Sequence, residues 1–229
     1  MEYIKLSLGR SIACIKCSDF YKPLLGDMSK QRSSSTDFHE KLNNIEESEN
    51  DNMKLEKINK EYNFDNPDAI EFDLLSEGLD KLKNNQQFDM PKYNKKTKTR
   101  MEKLVTVDPC DVIIVEGHLI FANKTLRDQF DLKIFIDADD DVRLSRRILK
   151  EKNEHERDGE FDVLKCLEKY EKFVKPAHEK YVEPTKKYAD MVIPNYGFTI
   201  EELNIEKQFV CKPALDLIIK EIKTRTGFE

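Results

Sequence analysis

The apolar positions of this chain fall into short continuous runs separated by stretches of helical period. Asp111–Glu116 (D-V-I-I-V-E) and Lys133–Asp137 (K-I-F-I-D) are brief β-branched runs ending in a carboxylate, as strands buried on both faces are. Ser11–Cys17 and Met191–Pro194 read as two further strands. Between them, Ile70, Leu74, Leu75, Leu79 and Leu82 recur at helical spacing, with Asp65 or Asn66 placed to cap and Pro67 suited to a first turn. Asn123–Phe130 predicts a short helical piece. Asp139–Lys150 predicts a helix whose Val142, Ser145, Ile148 and Leu149 face the core. Val163, Leu164, Leu167, Tyr170 and Val174 line a second long helix, and Val210, Ala214, Ile218 and Ile222 a closing one. The basic stretch P-K-Y-N-K-K-T-K-T-R-M-E-K predicts a hairpin or extended loop. Strands alternating with helices predict an α/β fold, a parallel sheet with helices on both faces.

One segment breaks this pattern. Between residues 26 and 61 the chain is polar, with S-S-S-T followed by N-N-I-E-E-S-E-N-D-N-M-K. Such composition buries too little apolar surface to offset the entropy of ordering, so a disordered insertion is expected there. It divides the chain into a start at 1–25, the insertion at 26–61 and the rest of one domain at 62–229.

Composition narrows the function classes. The net charge of −6 argues against a general nucleic-acid binder, whose phosphate contacts want a basic face. No apolar run approaches membrane-spanning length, and M-E-Y-I-K-L-S-L-G-R lacks a signal-peptide core, so a cytoplasmic location is expected. The five cysteines make no disulfide framework in a chain this long. Cys14 and Cys17 lie three apart on an expected strand, where side chains point to opposite faces, and read as packing residues. His118, His155 and His178 share no metal-ligand spacing.

The charged positions suggest phosphate chemistry. In parallel sheets ligands bind beyond the carboxyl ends of the strands, where Glu116 and Asp137 lie. Glu116, followed by Gly117, suits holding a magnesium ion through water; the alternative is that these carboxylates only cap the next turn. Arg143, Arg146, Arg147 and Lys150 form one helical stripe. Two readings of the stripe stay open: guanidinium forks gripping a triphosphate, or a solvated face paired with Asp139, Asp140, Asp141, Glu151 and Glu154.

Taken together, N-F-D-N-P-D-A, D-V-I-I-V-E-G-H-L-I-F, D-L-K-I-F-I-D-A-D-D-D-V-R-L-S-R-R-I-L, F-V-K-P-A-H-E-K-Y and P-T-K-K-Y-A-D-M-V-I-P resemble the uridine/cytidine kinases among the P-loop kinases, from about Ile12 to Pro194. The resemblance implies a three-layer P-loop kinase-like fold with a parallel sheet and a small hairpin and lid region. It implies ATP and Mg2+ as cofactors, a nucleoside substrate phosphorylated at its 5′-hydroxyl in pyrimidine salvage, and homo- or hetero-oligomers, tetramers in the family. Asp19 in S-D-F-Y matches the base, one position displaced from the family's D-S-F-Y. Tyr21, Phe64, Asp65, Tyr93, Arg100 and Arg143 match positions around base and ribose, with Asp65 and Arg143 on the ribose hydroxyls. Glu116 would serve the metal, and Arg143, Arg146 and Arg157 the phosphates.

Other positions depart from that pattern. Lys95 replaces an aromatic residue, Lys98 a histidine that meets the base, and Lys165 best aligns with a glutamine that contacts it. The lid reads Glu154-His155-Glu156-Arg157-Asp158, keeping one of two arginines. Ahead of the first strand there is no G-x-x-x-x-G-K-[ST] loop, and in the family's strand order 2-3-1-4-5 the strand before that loop is central. Three expectations follow: a uridine/cytidine kinase impaired or incomplete as given, a non-catalytic partner subunit of an active kinase, or a binder of another anionic metabolite.

Overall fold

A computed structural model describes residues 11–24, 58, 60–155, 161–195 and 212–227. The chain divides into two compact units, one made of Ala13–Asp131 with Glu171–Thr185, the other of Met1–Ile12, Leu132–Tyr170 and Lys186–Glu229.

In the first unit β1 (Ile12–Lys16) gives way to a 3-10 turn, Cys17–Phe20. A second 3-10 turn, Pro67–Ala69, is capped by the Asn66 side chain, which accepts from the Asp68 amide. Helix α1 (Phe72–Lys83) follows, then β2 (Phe88–Met90), β3 (Tyr93–Asn94), β4 (Thr99–Arg100), β5 (Val105–Val107), β6 (Val112–Glu116) and the short α2 (Lys124–Arg127). β1 pairs with β6, β2 with β5 and β3 with β4, the last two antiparallel. The basic stretch is thus the hairpin β3–β4. Ile15, Phe20, Leu75, Leu79, Leu119 and Leu126 are essentially removed from solvent. Gly78 lets α1 close on β2, since a Cβ there would lie 2.5 Å from the Phe88 ring.

Helix α1 begins later than the apolar spacing predicts. Ile70 forms an antiparallel bridge with Tyr21, and the Glu71 amide donates to the Phe20 carbonyl at 2.9 Å. Those backbone bonds hold 70 and 71 extended against the 3-10 turn, so the helix starts at Phe72. Ile58, near the end of the expected insertion, is helical and fully buried, packed with Leu24 against Tyr62 and Phe64. Ile58 and residues 60–61, within the expected insertion, are thus helical. Residues 26–57 and 59 lie outside the described residues.

In the second unit β7 (Ile134–Asp137) and β8 (Met191–Pro194) pair in parallel, Ile134 beside Met191 and Asp137 beside Pro194. α3 (Asp140–His155), α4 (Val163–Lys169) and α5 (Lys212–Thr226) accompany them. Phe135, Ile193, Cys166, Tyr170, Ile218 and Ile219 are buried. Two inward-facing expectations are corrected. Ser145 is exposed, and Val163 and Leu164 are 43% and 67% exposed, because Cys166 and Tyr170 set the inward face of their helix. The chain leaves α4 through a π-helical stretch (Tyr170–Val174), one α turn (Lys175–Ala177), a second π stretch (His178–Val182) and a 3-10 segment (Glu183–Tyr188).

The described elements make an α/β chain with a parallel strand pair. Among the described residues β6 pairs only with β1, and β7 only with β8.

Candidate functional site

Of the residues expected around a base and ribose, Tyr21, Phe64, Asp65, Tyr93 and Arg100 lie in the first unit, where local backbone chemistry positions them, and Arg143 lies in the second. β1 ends at Lys16, so Asp19 lies on a 3-10 turn and strand alternation does not decide its direction. It points inward, 8% exposed, with its Oδ2 accepting from Lys92 Nζ at 2.6 Å. Lys92 immediately precedes Tyr93, the first residue of β3, so adjacent positions supply the cation that meets Asp19 and an aromatic ring.

Arg100, on the opposite strand of that hairpin, straps the same turn. Its Nε donates to the Tyr21 carbonyl at 3.2 Å, and its Nη2 lies 2.5 Å from Glu71 Oε2. Glu71 is itself 8% exposed. Lys92 and Glu71 are site residues that motif comparison missed. Each is a lone charged residue between apolar neighbours, and only the fold places them beside Asp19 and Arg100.

Tyr21, Phe64 and Tyr93 pack as a cluster. The Tyr21 ring meets Phe64 edge-on at 5.5 Å and Tyr93 at 5.4 Å, and Tyr62 meets Phe64 at 4.7 Å. Burial pushes the hydroxyls of Tyr21 and Tyr93 well above the usual phenol range, with the Asp65 carboxylate adding to the effect at Tyr21. Burial and then Asp68 raise Tyr62 to about 12. All three stay protonated at neutral pH. Among the described residues the buried Tyr93 hydroxyl has no hydrogen-bond partner. Lys98 Nζ sits 4.7 Å from the centre of the Phe64 ring, within cation–π range. Asp65 faces His118 Nε2 at 3.2 Å.

Glu116 closes β6 with its side chain half exposed, 3.7 Å from Lys16 Nζ. Gly117 next to it is required by a close approach: a Cβ would fall 2.5 Å from Cys17 Cβ. Burial pushes the Cys17 thiol from 9.0 up to about 12, so it is an inert packing group. Two cavities of this unit, of about 380 and 250 Å³, are lined by other residues, along α1 and beside Lys22, Asp68 and Asn123. Among the described residues no cluster of three or more His, Cys, Asp or Glu side chains is placed to hold a metal ion. A magnesium ion carried by a nucleotide needs only one or two carboxylates with water, and the loosely paired Glu116 meets that requirement.

The arginine stripe of the second unit separates into two halves. Arg147 pairs with Glu151 at 2.8 Å and Lys150 lies 4.0 Å from Glu154, along the helix itself. Arg143 instead donates to the Ala138 carbonyl at 2.5 Å and pairs with Asp140, while Arg146 donates to the Asn195 side chain at 3.2 Å. These two reach the segments that follow β7 and β8, the carboxyl end of the parallel pair. Asp137 is taken by Lys186 at 2.6 Å. Arg157 lies outside the described residues.

The sequence profile of the phosphoribulokinase/uridine kinase family matches residues 19–199. Uridine kinase of Latilactobacillus sakei subsp. sakei (strain 23K) is 38% identical over 165 residues, 72% of this chain and 71% of that protein. Uridine kinase-like protein 5 of Arabidopsis thaliana is 39% identical over 175 residues, 76% of this chain but 34% of that protein. The chain spans about a third of the length of the Arabidopsis relatives it matches. Among solved structures, phosphoribulokinase from Rhodobacter spheroides shares the fold with a TM-score of 0.56 at 11% identity, over 84% of this chain and 63% of that one. With most of its length matched by the profile and by a relative of similar extent, the chain belongs to the phosphoribulokinase/uridine kinase family, whose P-loop kinases carry this α/β fold.

Proposed function

We propose that this chain acts as a uridine/cytidine kinase-type phosphotransferase, passing a phosphoryl group from ATP to a nucleoside 5′-hydroxyl in pyrimidine salvage. The observation that carries the reading is the meeting of Asp19, Tyr21, Phe64, Tyr93 and Arg100, from three distant stretches of sequence, in one unit. Asp19 accepts the 5′-hydroxyl proton as that oxygen attacks phosphorus, and Lys92 orients the carboxylate. Tyr21, Phe64 and Tyr93 wall the base. Asp65 holds a ribose hydroxyl, and Arg100 fixes the backbone on which Tyr21 stands. Glu116 would hold magnesium through water; Arg143, Arg146 and Arg157 would meet the phosphates. Bound magnesium offsets the charge that builds on the transferring group.

These 229 residues contain no G-x-x-x-x-G-K-[ST] stretch, the loop whose amides cradle phosphates. Loss of one preorganised donor slows turnover by about 10²–10³-fold, so transfer by the chain alone is expected to be slower still. A second reading is a nucleoside-binding partner subunit of an active kinase. Calorimetric titration with uridine, beside a coupled assay of transfer from magnesium-ATP, tests both. Uridine binding lost in Asp65→Ala, with residual transfer lost in Asp19→Asn, supports the kinase reading. Binding without transfer, together with co-purification with an active kinase, supports the subunit. Absence of uridine binding, or stronger binding of other phosphorylated ligands, overturns both.

A further inference from the structure

We infer that Glu71 is a positioning residue for the proton acceptor: acting through Arg100, it fixes the 3-10 turn that aims Asp19. The inference rests on the phosphotransfer reading above and adds to it a residue outside the segments that resemble kinase motifs.

Asp19 needs outside support because its strand has already ended. β1 stops at Lys16, and Cys17–Phe20 form a 3-10 turn. Such a turn has poorer internal hydrogen bonds than an α-helix, so what grips its ends sets its direction. At the carboxyl end residues 69–71 supply a first grip. The Lys22 amide donates to the Ala69 carbonyl and the Glu71 amide to the Phe20 carbonyl, both at 2.9 Å, flanking the bridge between Tyr21 and Ile70. Arg100 supplies a second. Its Nε donates to the Tyr21 carbonyl at 3.2 Å and its Nη2 to the Phe20 carbonyl at 3.4 Å. The Phe20 carbonyl thus receives two donors, which engages both of its lone pairs.

Glu71 takes part in both grips. Its amide makes the first, and its carboxylate holds the arginine that makes the second. The residue is 8% exposed, and its Oε2, closed off from water, stands 2.5 Å from Arg100 Nη2. The Arg100 side chain is 22% exposed. Without the carboxylate's charge its guanidinium turns towards water more readily and releases the two carbonyls. The effect reaches Asp19 because Phe20 follows it directly. Lys92 grips the Asp19 carboxylate, while Glu71, through Arg100, grips the backbone one residue on. A reacting group displaced by about 1 Å loses about 10²-fold in rate, so a turn held from both sides matters to transfer.

The experiment combines hydrogen exchange read by mass spectrometry with uridine phosphorylation from magnesium-ATP, both on the full chain. Glu71→Gln keeps the shape of the side chain and removes its charge. Amides of residues 17–22 should exchange about tenfold faster, while those of residues 79–83, at the end of α1, stay within about twofold. The kcat per folded molecule should fall between about tenfold and a hundredfold, with KM for magnesium-ATP within about twofold. A general loss of stability would give neither the local exchange nor the fall per folded molecule. Arg100→Lys keeps the charge, loses the fork and should loosen the same turn. The double variant should match Arg100→Lys within about twofold, because the two residues act in series. Thermal melts give the folded fraction, and should Glu71→Gln not fold, exchange in Arg100→Lys decides. Unchanged exchange at 17–22, unchanged kcat, or additive losses in the double variant overturn the role of Glu71 and leave phosphotransfer standing. If wild type transfers nothing to uridine, the phosphotransfer reading falls and this inference with it.

Discussion

Replacing Lys92 by methionine isolates the ion pair on which the candidate base depends. The substitution keeps the apolar stem and removes the ammonium that sits 2.6 Å from Asp19 Oδ2. Asp19 is 8% exposed, whereas the Lys92 side chain is 32% exposed. A fully buried pair broken on one side costs about 3–5 kcal/mol, and an exposed one about 0–1. With one partner buried and the other reached by water, a loss of about 2 kcal/mol is expected, set by the carboxylate left without its cation. Urea unfolding followed by circular dichroism measures it. Asp19→Asn in the Lys92→Met background should recover more than half of the loss, because the uncompensated charge is then gone. If Lys92→Met leaves the urea midpoint unchanged, or if Asp19→Asn adds a further loss on top of it, the pair is not what holds Asp19 and the reasoning fails.

Gly117→Ala places a methyl 2.5 Å from Cys17 Cβ, so backbone must move; a loss of about 1–3 kcal/mol is expected in thermal melts. Ile58→Ala empties a fully buried position beneath Leu24, Tyr62 and Phe64 and should cost about 2–5 kcal/mol, with a change in near-ultraviolet tyrosine dichroism from the loosened cluster. Cys17, raised from 9.0 to about 12, keeps its proton when folded after the unfolded thiol has lost it. The unfolded state then binds fewer protons, so this group's contribution is complete below pH 9.0 and is lost as pH rises towards about 12. Urea midpoints that rise across that window would contradict the burial assigned to Cys17.

The elements whose shape depends on local apolar order match the reading of the sequence, and those governed by distant contacts do not. β8 has the expected bounds because M-V-I-P is a bare apolar run between Asp190 and Asn195. α3 runs past Lys150 to His155 because the Arg147–Glu151 and Lys150–Glu154 pairs continue its charged face. Ile70 is periodic with Leu74 yet leaves the helix, since pairing with Tyr21 satisfies its backbone elsewhere. The aromatic members of the candidate site were legible as a motif, but their polar partners were not. Lys92 meets Asp19 across 73 residues of sequence, a pairing that no spacing rule anticipates.

These partners bear on how the site must work. In the first unit Asp19 faces Lys92, Glu71 faces Arg100, Asp65 faces His118 and Glu116 faces Lys16. The pairs grade from enclosed to open: Asp19 and Glu71 are nearly buried, whereas the Glu116 and Lys16 side chains are half exposed or more and stand 3.7 Å apart. A ligand gains least by breaking enclosed pairs, because each leaves a charge without water or partner. It gains most where a weak, hydrated contact is exchanged for a better one. On the proposed reading Glu116 would exchange Lys16 for a divalent cation at small expense, while Asp19–Lys92 and Arg100–Glu71 would receive the nucleoside as they stand. Those two enclosed pairs then belong to the rigid part of the site, and the adjustable part lies at the end of β6.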